Sequence, residues 1–273
     1  MTIMTSKKNS LFSLLLLSVM ACGGASTSNT ELSGSNPQPA EEVAEEALPD
    51  AAGIISRYIE VTGGEAAYAA IKNFKVTGIF ALPAQKIEGA LTIVGADGGR
   101  LVFSVEIPGI GTERSGSDGT VVWAMSAMTG SRILEGTERE RILRDADLQK
   151  DLNWKTYYKS ATTTKLDEVD GKAAYVVDMV DNYDVVETRY YDKESGLLVR
   201  SAGKVQSQMG EMMTDSRFTD YQKFAGVLMP KTVEVSMMGM KQVVTIKSVE
   251  MNIEFGGDEF ALPDDIKVLP QNK

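Results

Sequence analysis

The sequence predicts a mainly β domain, an antiparallel meander of about a dozen strands, long enough to curl into a closed or nearly closed barrel. From Phe74 to Phe255, apolar and β-branched residues alternate with polar ones at period two. The runs are separated by short turns containing Gly, Asp or Asn, which is hairpin connectivity rather than helical crossover. Helical spacing occurs only near residues 50–72 and 137–152. A sheet of that size removes its unpaired edges by curling. With 43% apolar and 24% charged residues among 273, the chain can build a sizeable core.

The N-terminal segment comes first. Residues 1–10 carry Lys7 and Lys8 and no acid, residues 11–21 are an apolar run ending in small Ala21, and Cys22 follows. That is the form of a secretory signal peptide over residues 1–21, and eleven residues are too few to span a bilayer, which takes about 20. Val19-Met20-Ala21-Cys22 resembles the lipobox of bacterial lipoproteins. The resemblance implies diacylglycerol on the Cys22 thiol, cleavage before it, and a membrane anchor. Cys22 is the only cysteine, so no disulfide is available within the chain. Gly23 is not the Asp that marks inner-membrane retention in enterobacterial lipoproteins, and this favours the outer membrane. Residues 22–48 are rich in Ser, Gly, Thr and Pro, with five Glu and no Lys or Arg, which predicts a flexible, self-repelling tether reaching roughly 30 Å. The remaining residues, 49–273, read as a single domain. Formal charge is −10, and −12 once Lys7 and Lys8 are removed, which argues against a nucleic-acid partner and against spontaneous docking on an anionic bilayer.

Pro49-Asp50 offers a cap, and Ile54, Ile55, Tyr58, Ile59 and Thr62 recur at helical spacing until Gly63-Gly64. A second short helix is expected over Glu65–Lys72. Strands are expected at 74–82, 86–95, 100–107, 120–126 and 131–135, then at 162–169, 173–180, 185–192, 197–207, 212–221, 227–237 and 241–255. Met128-Thr129-Gly130, Glu194-Ser195-Gly196 and Phe224-Ala225-Gly226 each supply a left-handed turn position, and Asp170-Gly171 is a further hairpin signal. Between the two sets of strands, residues 137–152 are helix formers with dense mixed charge and a thin apolar stripe of Ile142, Leu143, Ala146 and Leu152, which predicts a solvated helix across a sheet end.

Three groups of residues carry a resemblance to a known family. They are Ser117-Asp118-Gly119 followed by Trp123, Tyr190-Tyr191-Asp192 followed by Gly196-Leu197, and Phe218-Thr219-Asp220-Tyr221 followed by Gly226-Val227 and Pro230. In order and spacing they resemble the LolA/LolB-like outer-membrane lipoprotein-sorting proteins, over roughly residues 50–264. The resemblance implies a half-open antiparallel β-barrel with N-terminal helices and a lid helix, whose apolar interior holds lipoprotein acyl chains without covalent chemistry or cofactor. Trp123 and Tyr191 are expected to serve barrel packing. The family also has an Arg near the start of an early strand that contacts the lid. Gly98-Gly99-Arg100 opens the comparable strand and makes Arg100 a gate candidate, although a register slip of one residue would turn it to the other face.

The residues themselves point away from catalysis. With no histidine, no Ser-His-Asp or Cys-His pair and no imidazole metal site can form, and acylation consumes the only thiol. Asp145, Asp147 and Asp151 read as a charged lid face, because positions two and four apart on a helix do not converge. The methionines are more telling. Met209, Met212 and Met213 lie at one hairpin tip and Met237, Met238 and Met240 at another, and the alternation of turns puts both tips at the same end of the barrel. They are candidates for a pliable, apolar cavity mouth. Core filling and soft-metal capture of Cu(I) are the competing readings. The functional expectations are therefore a lipid-anchored, periplasm-facing carrier or acceptor of acyl chains of lipoproteins or other lipids, a non-catalytic outer-membrane scaffold, or a Met-rich copper binder.

Overall fold

The computed structural model describes residues 47–270 apart from Met128, Gln208 and Met209, so the signal segment, Cys22 and nearly all of the tether lie outside the described residues. Thirteen strands form one antiparallel sheet: β1 (Asn73–Leu82), β2 (Ile87–Ala96), β3 (Arg100–Ile107), β4 (Gly111–Asp118), β5 (Val122–Ser126), β6 (Gly130–Ile133), β7 (Tyr158–Val169), β8 (Lys172–Asp181), β9 (Val186–Asp192), β10 (Leu198–Ser207), β11 (Gly210–Phe224), β12 (Val227–Met237) and β13 (Met240–Met251). Their spatial order is β6-β5-β4-β3-β2-β1-β13-β12-β11-β10-β9-β8-β7. Two meanders are thus joined where the first and last strands pair, with Phe74 opposite Met251. The free edges are β6 and β7. The sheet stays open there, and the chain between them carries two helices, α3 (Gly136–Ala146) and α4 (Trp154–Tyr157).

The N-terminal helices are α1 (Ala51–Thr62) and α2 (Glu65–Ala69). The Asp50 side chain accepts the Ala52 amide at 3.1 Å, and Gly63 ends α1 with positive φ. Ile54, Ile55 and Ile59 pack on Val177 and Met179 of β8, Tyr158 of β7 and Tyr191 of β9. This fixes one face of the sheet as the inner one. On the same face, Phe80, Leu82, Leu91, Phe103, Val105 and Ile107 fill the space enclosed by β1–β3, a cluster to which no helix among the described residues contributes a side chain. The strands bend sharply enough there that a Cβ on Gly78 would lie 2.6 Å from the Thr245 carbonyl oxygen. The outer face of β2, β3 and β5 is covered by the C-terminal segment, where Phe260 and Ile266 pack on Val94, Ala96, Val102 and Trp123.

The departures from expectation have local causes. β4, GTERSGSD, is unforeseen because it carries no apolar residue, yet its register against β3 is continuous from Arg100↔Asp118 to Ile107↔Gly111. α3 stops at Ala146 instead of continuing to 152. The Asp147 side chain accepts the Gln149 amide at 2.8 Å, a local turn that competes with the helix. β13 stops at Met251 because Asn252 is left-handed and its side chain is engaged with Ala70 and Lys72. The chain then turns away and forms α5 (Asp264–Lys267), which period-two reading to Phe255 did not anticipate.

Candidate functional site

α3 lies over the inner face, packed on β3, β4 and β5 and reaching β10. Its apolar hold is narrow. Ile142 and Ala146 are buried against Leu101, Val122 and Leu134, with Leu143 beside them, while Leu152 lies past the helix end in the cluster around α1. The exposed side is charged, and Glu138 makes a two-pronged pair with Arg132 at 2.7 and 2.9 Å.

Polar contacts hold the other side of the helix. Arg144 Nη1 donates to the Tyr158 hydroxyl at 2.9 Å, and Arg189 Nη2 donates to the same oxygen at 3.1 Å. The Tyr158 hydroxyl donates in a short contact to Glu187, whose other oxygen accepts from Arg189 Nε at 2.7 Å. Asp151, in the turn after α3, lies 3.5 Å from Arg189. Both guanidinium groups also stand beside the Tyr158 ring, 5.4 and 5.3 Å from its centroid. Glu187 and Arg189 come from β9, two residues apart and therefore on one face, so α3, β7 and β9 are tied through a single buried carboxylate. Burial raises the Glu187 pKa, but Arg189 and Arg144 more than offset this and hold it down at about 2.

A pH dependence follows. Because the folded value lies below the ordinary 4.5, the stabilisation is complete above pH 4.5 and is lost as pH falls towards 2. The difference corresponds to roughly 3 kcal/mol. Urea unfolding is expected to show no Glu187-dependent change between pH 7 and 5 and a steep loss between pH 4.5 and 2.5. Glu187→Gln should flatten that loss, and an equally steep loss in the variant would assign it to other carboxylates.

Beside this network, a cavity of about 110 Å³ lies between the N-terminal half of α3, the turn after β8 and the β10–β11 hairpin. Its wall includes Val205, which packs on Met212 and Met237. The register sets Thr214 opposite Met237, so the β10–β11 and β12–β13 tips are neighbours at one end of the sheet. Met212 and Met237 face inward and are buried, Met213 and Met238 are 50% and 60% exposed, and Met240 is half-buried opposite Met237. Met209 lies outside the described residues. Arg100 is on the other face, 5.1 Å from the Phe260 ring, and donates to the Asp97 carbonyl at 2.9 Å. The neighbouring Leu101 is the residue that meets α3. Arg100 and the lid helix are therefore not brought together. Trp123 and Tyr191 are both fully buried, in packing positions.

The acidic residues of the α3 region each have a separate partner: Asp145 has Lys150, Asp147 has Tyr157 and Asn153, and Asp151 has Arg189. Sequence reading passed over Arg144, Tyr158, Glu187 and Arg189. The available signal was Glu187-Thr188-Arg189, two charges on one face of a strand whose next residue on that face is Tyr191.

A large open antiparallel sheet with helices laid on its concave face defines an open-barrel protein whose interior is closed by helices rather than by strand pairing. The fold is LolA/LolB-like. Among solved structures, it is similar to a DUF1329 family protein from Desulfovibrio piger (10% identity, 77% of this chain and 96% of that one, TM-score 0.53). It is similar as well to a LolA superfamily protein from Nitrosomonas europaea (12%, 79% and 99%, TM-score 0.52). A third likeness is to a domain described as an outer membrane lipoprotein-sorting protein from Vibrio parahaemolyticus (10%, 77% and 97%, TM-score 0.50). No family model and no curated protein matches the chain in sequence.

Proposed function

We propose that this protein is a lipid-anchored carrier or acceptor that holds acyl chains of lipoproteins or other lipids inside the open barrel, facing the periplasm of a bacterial envelope. In this reading residues 1–21 are the signal peptide, Cys22 carries the outer-membrane anchor, residues 22–48 are the leash and residues 49–273 the carrier domain. The observation that carries it is the closure of an apolar inner face by a mostly charged helix held through three apolar side chains and one polar network. At about 110 Å³ the cavity is below the ~300–1,000 Å³ of ligand pockets, so cargo enters only when α3 moves. The energies permit this. Lifting Ile142, Leu143 and Ala146 off the sheet and breaking the Arg144–Tyr158 hydrogen bond costs roughly 5–8 kcal/mol, whereas a sixteen-carbon chain gains on the order of 12 kcal/mol at about 0.8 per methylene.

Met238 supports an apolar mouth. It holds a left-handed turn position with φ 50°, where Asn or Gly is favoured, and its side chain is 60% exposed. The turn gains nothing from methionine there, the kind of local cost that accumulates at working surfaces. Ser at Met212, Met213, Met237 and Met238 is expected to weaken displacement of a fluorescent fatty-acid probe at least tenfold, with Leu at the same four positions retaining it. The small cavity also favours a second reading, a scaffold with a filled barrel. That reading stands if the wild type binds neither the probe nor Cu(I), and stoichiometric Cu(I) binding without probe binding selects the copper alternative. Cys22→Ser is expected to leave an uncleaved precursor without clickable fatty-acid label. A Ser variant labelled and cleaved like wild type would remove the anchor from the proposal.

A further inference from the structure

β4 sets a polar stripe into the apolar inner wall. Glu113, Ser115 and Ser117 alternate along the strand and share one face. That face is the inner one. Ser115 stands opposite Phe103 of β3 and Ala124 of β5, and Ser117 stands opposite Leu101 and Val122, which pack with Ile142 of α3. Two of the three polar side chains are engaged with neighbouring turns. Ser117 Oγ accepts the Gly119 amide at 3.0 Å, and one Glu113 oxygen accepts from Ser126 Oγ at 3.0 Å and from the Ala127 amide at 3.2 Å. Ser115 is different. It is 0% exposed, and its hydroxyl has no hydrogen-bonding partner among the described residues. A buried hydroxyl left unpaired costs about 1–3 kcal/mol, and alanine at this position would remove that cost. The strand therefore keeps a donor that the closed state does not use, on the rung next to the one α3 covers.

We infer that Ser115 is the anchor for the linkage carbonyl of an acylated cargo, an ester or an amide, whose chain lies along Phe103, Leu91 and Phe80 once α3 has lifted. This rests on the carrier reading and narrows its cargo to lipids joined through a carbonyl. A single O–H donor among apolar side chains fits a single neutral acceptor, and here the hydroxyl donates to the carbonyl oxygen. An anionic head fits poorly, because the nearest charged group on this face of β4 is the Glu113 carboxylate, two residues along. Glycerol esters and N-acylated amines both present such a carbonyl, so the chemistry is shared and the probes separate the sources.

The test uses the full chain carrying Cys22→Ser and three amphiphiles that differ only at the linkage, each below its micelle concentration: monolauroyl glycerol, the matching lauramide of aminopropanediol, and dodecyl glycerol ether. The ester or the amide is expected to bind about five- to tenfold more tightly than the ether, and Ser115→Ala should close that gap without changing ether binding. Ser115→Ala should also unfold in urea at the wild-type midpoint or a higher one. Ser117→Ala, which loses its contact with the Gly119 amide, should unfold earlier and keep the gap. The ester ahead of the amide assigns a glycerolipid, the reverse order assigns an N-acylated cargo, and both equally ahead of the ether assign the carbonyl alone. Equal binding of all three by the wild type, or a gap that survives Ser115→Ala, overturns the anchor while leaving the carrier reading intact. A lower midpoint for Ser115→Ala gives the hydroxyl a structural task and also overturns the anchor. Failure of all three probes overturns the carrier reading itself.

Discussion

Arg189→Met is expected to lower the unfolding free energy by about 3–5 kcal/mol, because it leaves the buried Glu187 carboxylate without its principal partner. That is a large share of the ~5–15 kcal/mol that holds an ordinary domain together. The loss is one of compensation rather than of packing, since Met retains much of the aliphatic stem. The double variant Arg189→Met with Glu187→Met removes both charges and should recover most of the stability. Chemical denaturation of the two single variants, the double variant and wild type closes the cycle. Equal losses in the single and double variants would place the cost in packing and remove the ion pair from the account of lid closure. The same variant loosens the side of α3 held by Arg144 and Tyr158. Faster exchange of the α3 backbone amides is therefore expected, with β1–β3, whose inner core needs no helix, unchanged.

The second large effect concerns the C-terminal segment. Removing residues 257–273 uncovers Trp123, Val94 and Val102 and takes away the buried Phe260 and Ile266, with Leu262 and Leu269 beside them. At about 1.5–3 kcal/mol for each large side chain fully buried, the loss is on the order of 5 kcal/mol or more. The truncated chain should show a lower Tm, a red-shifted Trp123 contribution to its fluorescence and new binding of a hydrophobic dye. The milder Ile266→Ala should cost about 2–5 kcal/mol at a fully buried position. A truncation that melts with wild type would mean that this segment covers the sheet without stabilising it.

Strand reading succeeded where alternation reports a half-buried face, and failed where a strand earned its place by pairing alone. β4 contributes Thr112, Glu113 and Arg114 rather than Val or Ile, and it is a strand because β3 and β5 flank it. Arg100 shows the limit at the level of one residue. Period two places Arg100 and Leu101 on opposite faces, but which face meets the lid depends on where α3 comes to rest. The methionine tips were legible because turns in a meander alternate ends, and the observed register makes them neighbours.

The sequence by itself determined the strand-rich architecture, the two helical interruptions, the hairpin chemistry and the pairing of the two methionine tips, since each depends on spacing within a few residues. Only the tertiary structure decided that β1 pairs with β13, that the sheet stays open between β6 and β7, and that Arg144, Tyr158, Glu187 and Arg189 meet beneath α3. Apart from Glu187 with Arg189 on one strand, those contacts join residues 14 or more positions apart in the chain. A charged residue on a strand looks the same in sequence whether it faces water or a buried partner, because its pairing is set by the element that folds over it.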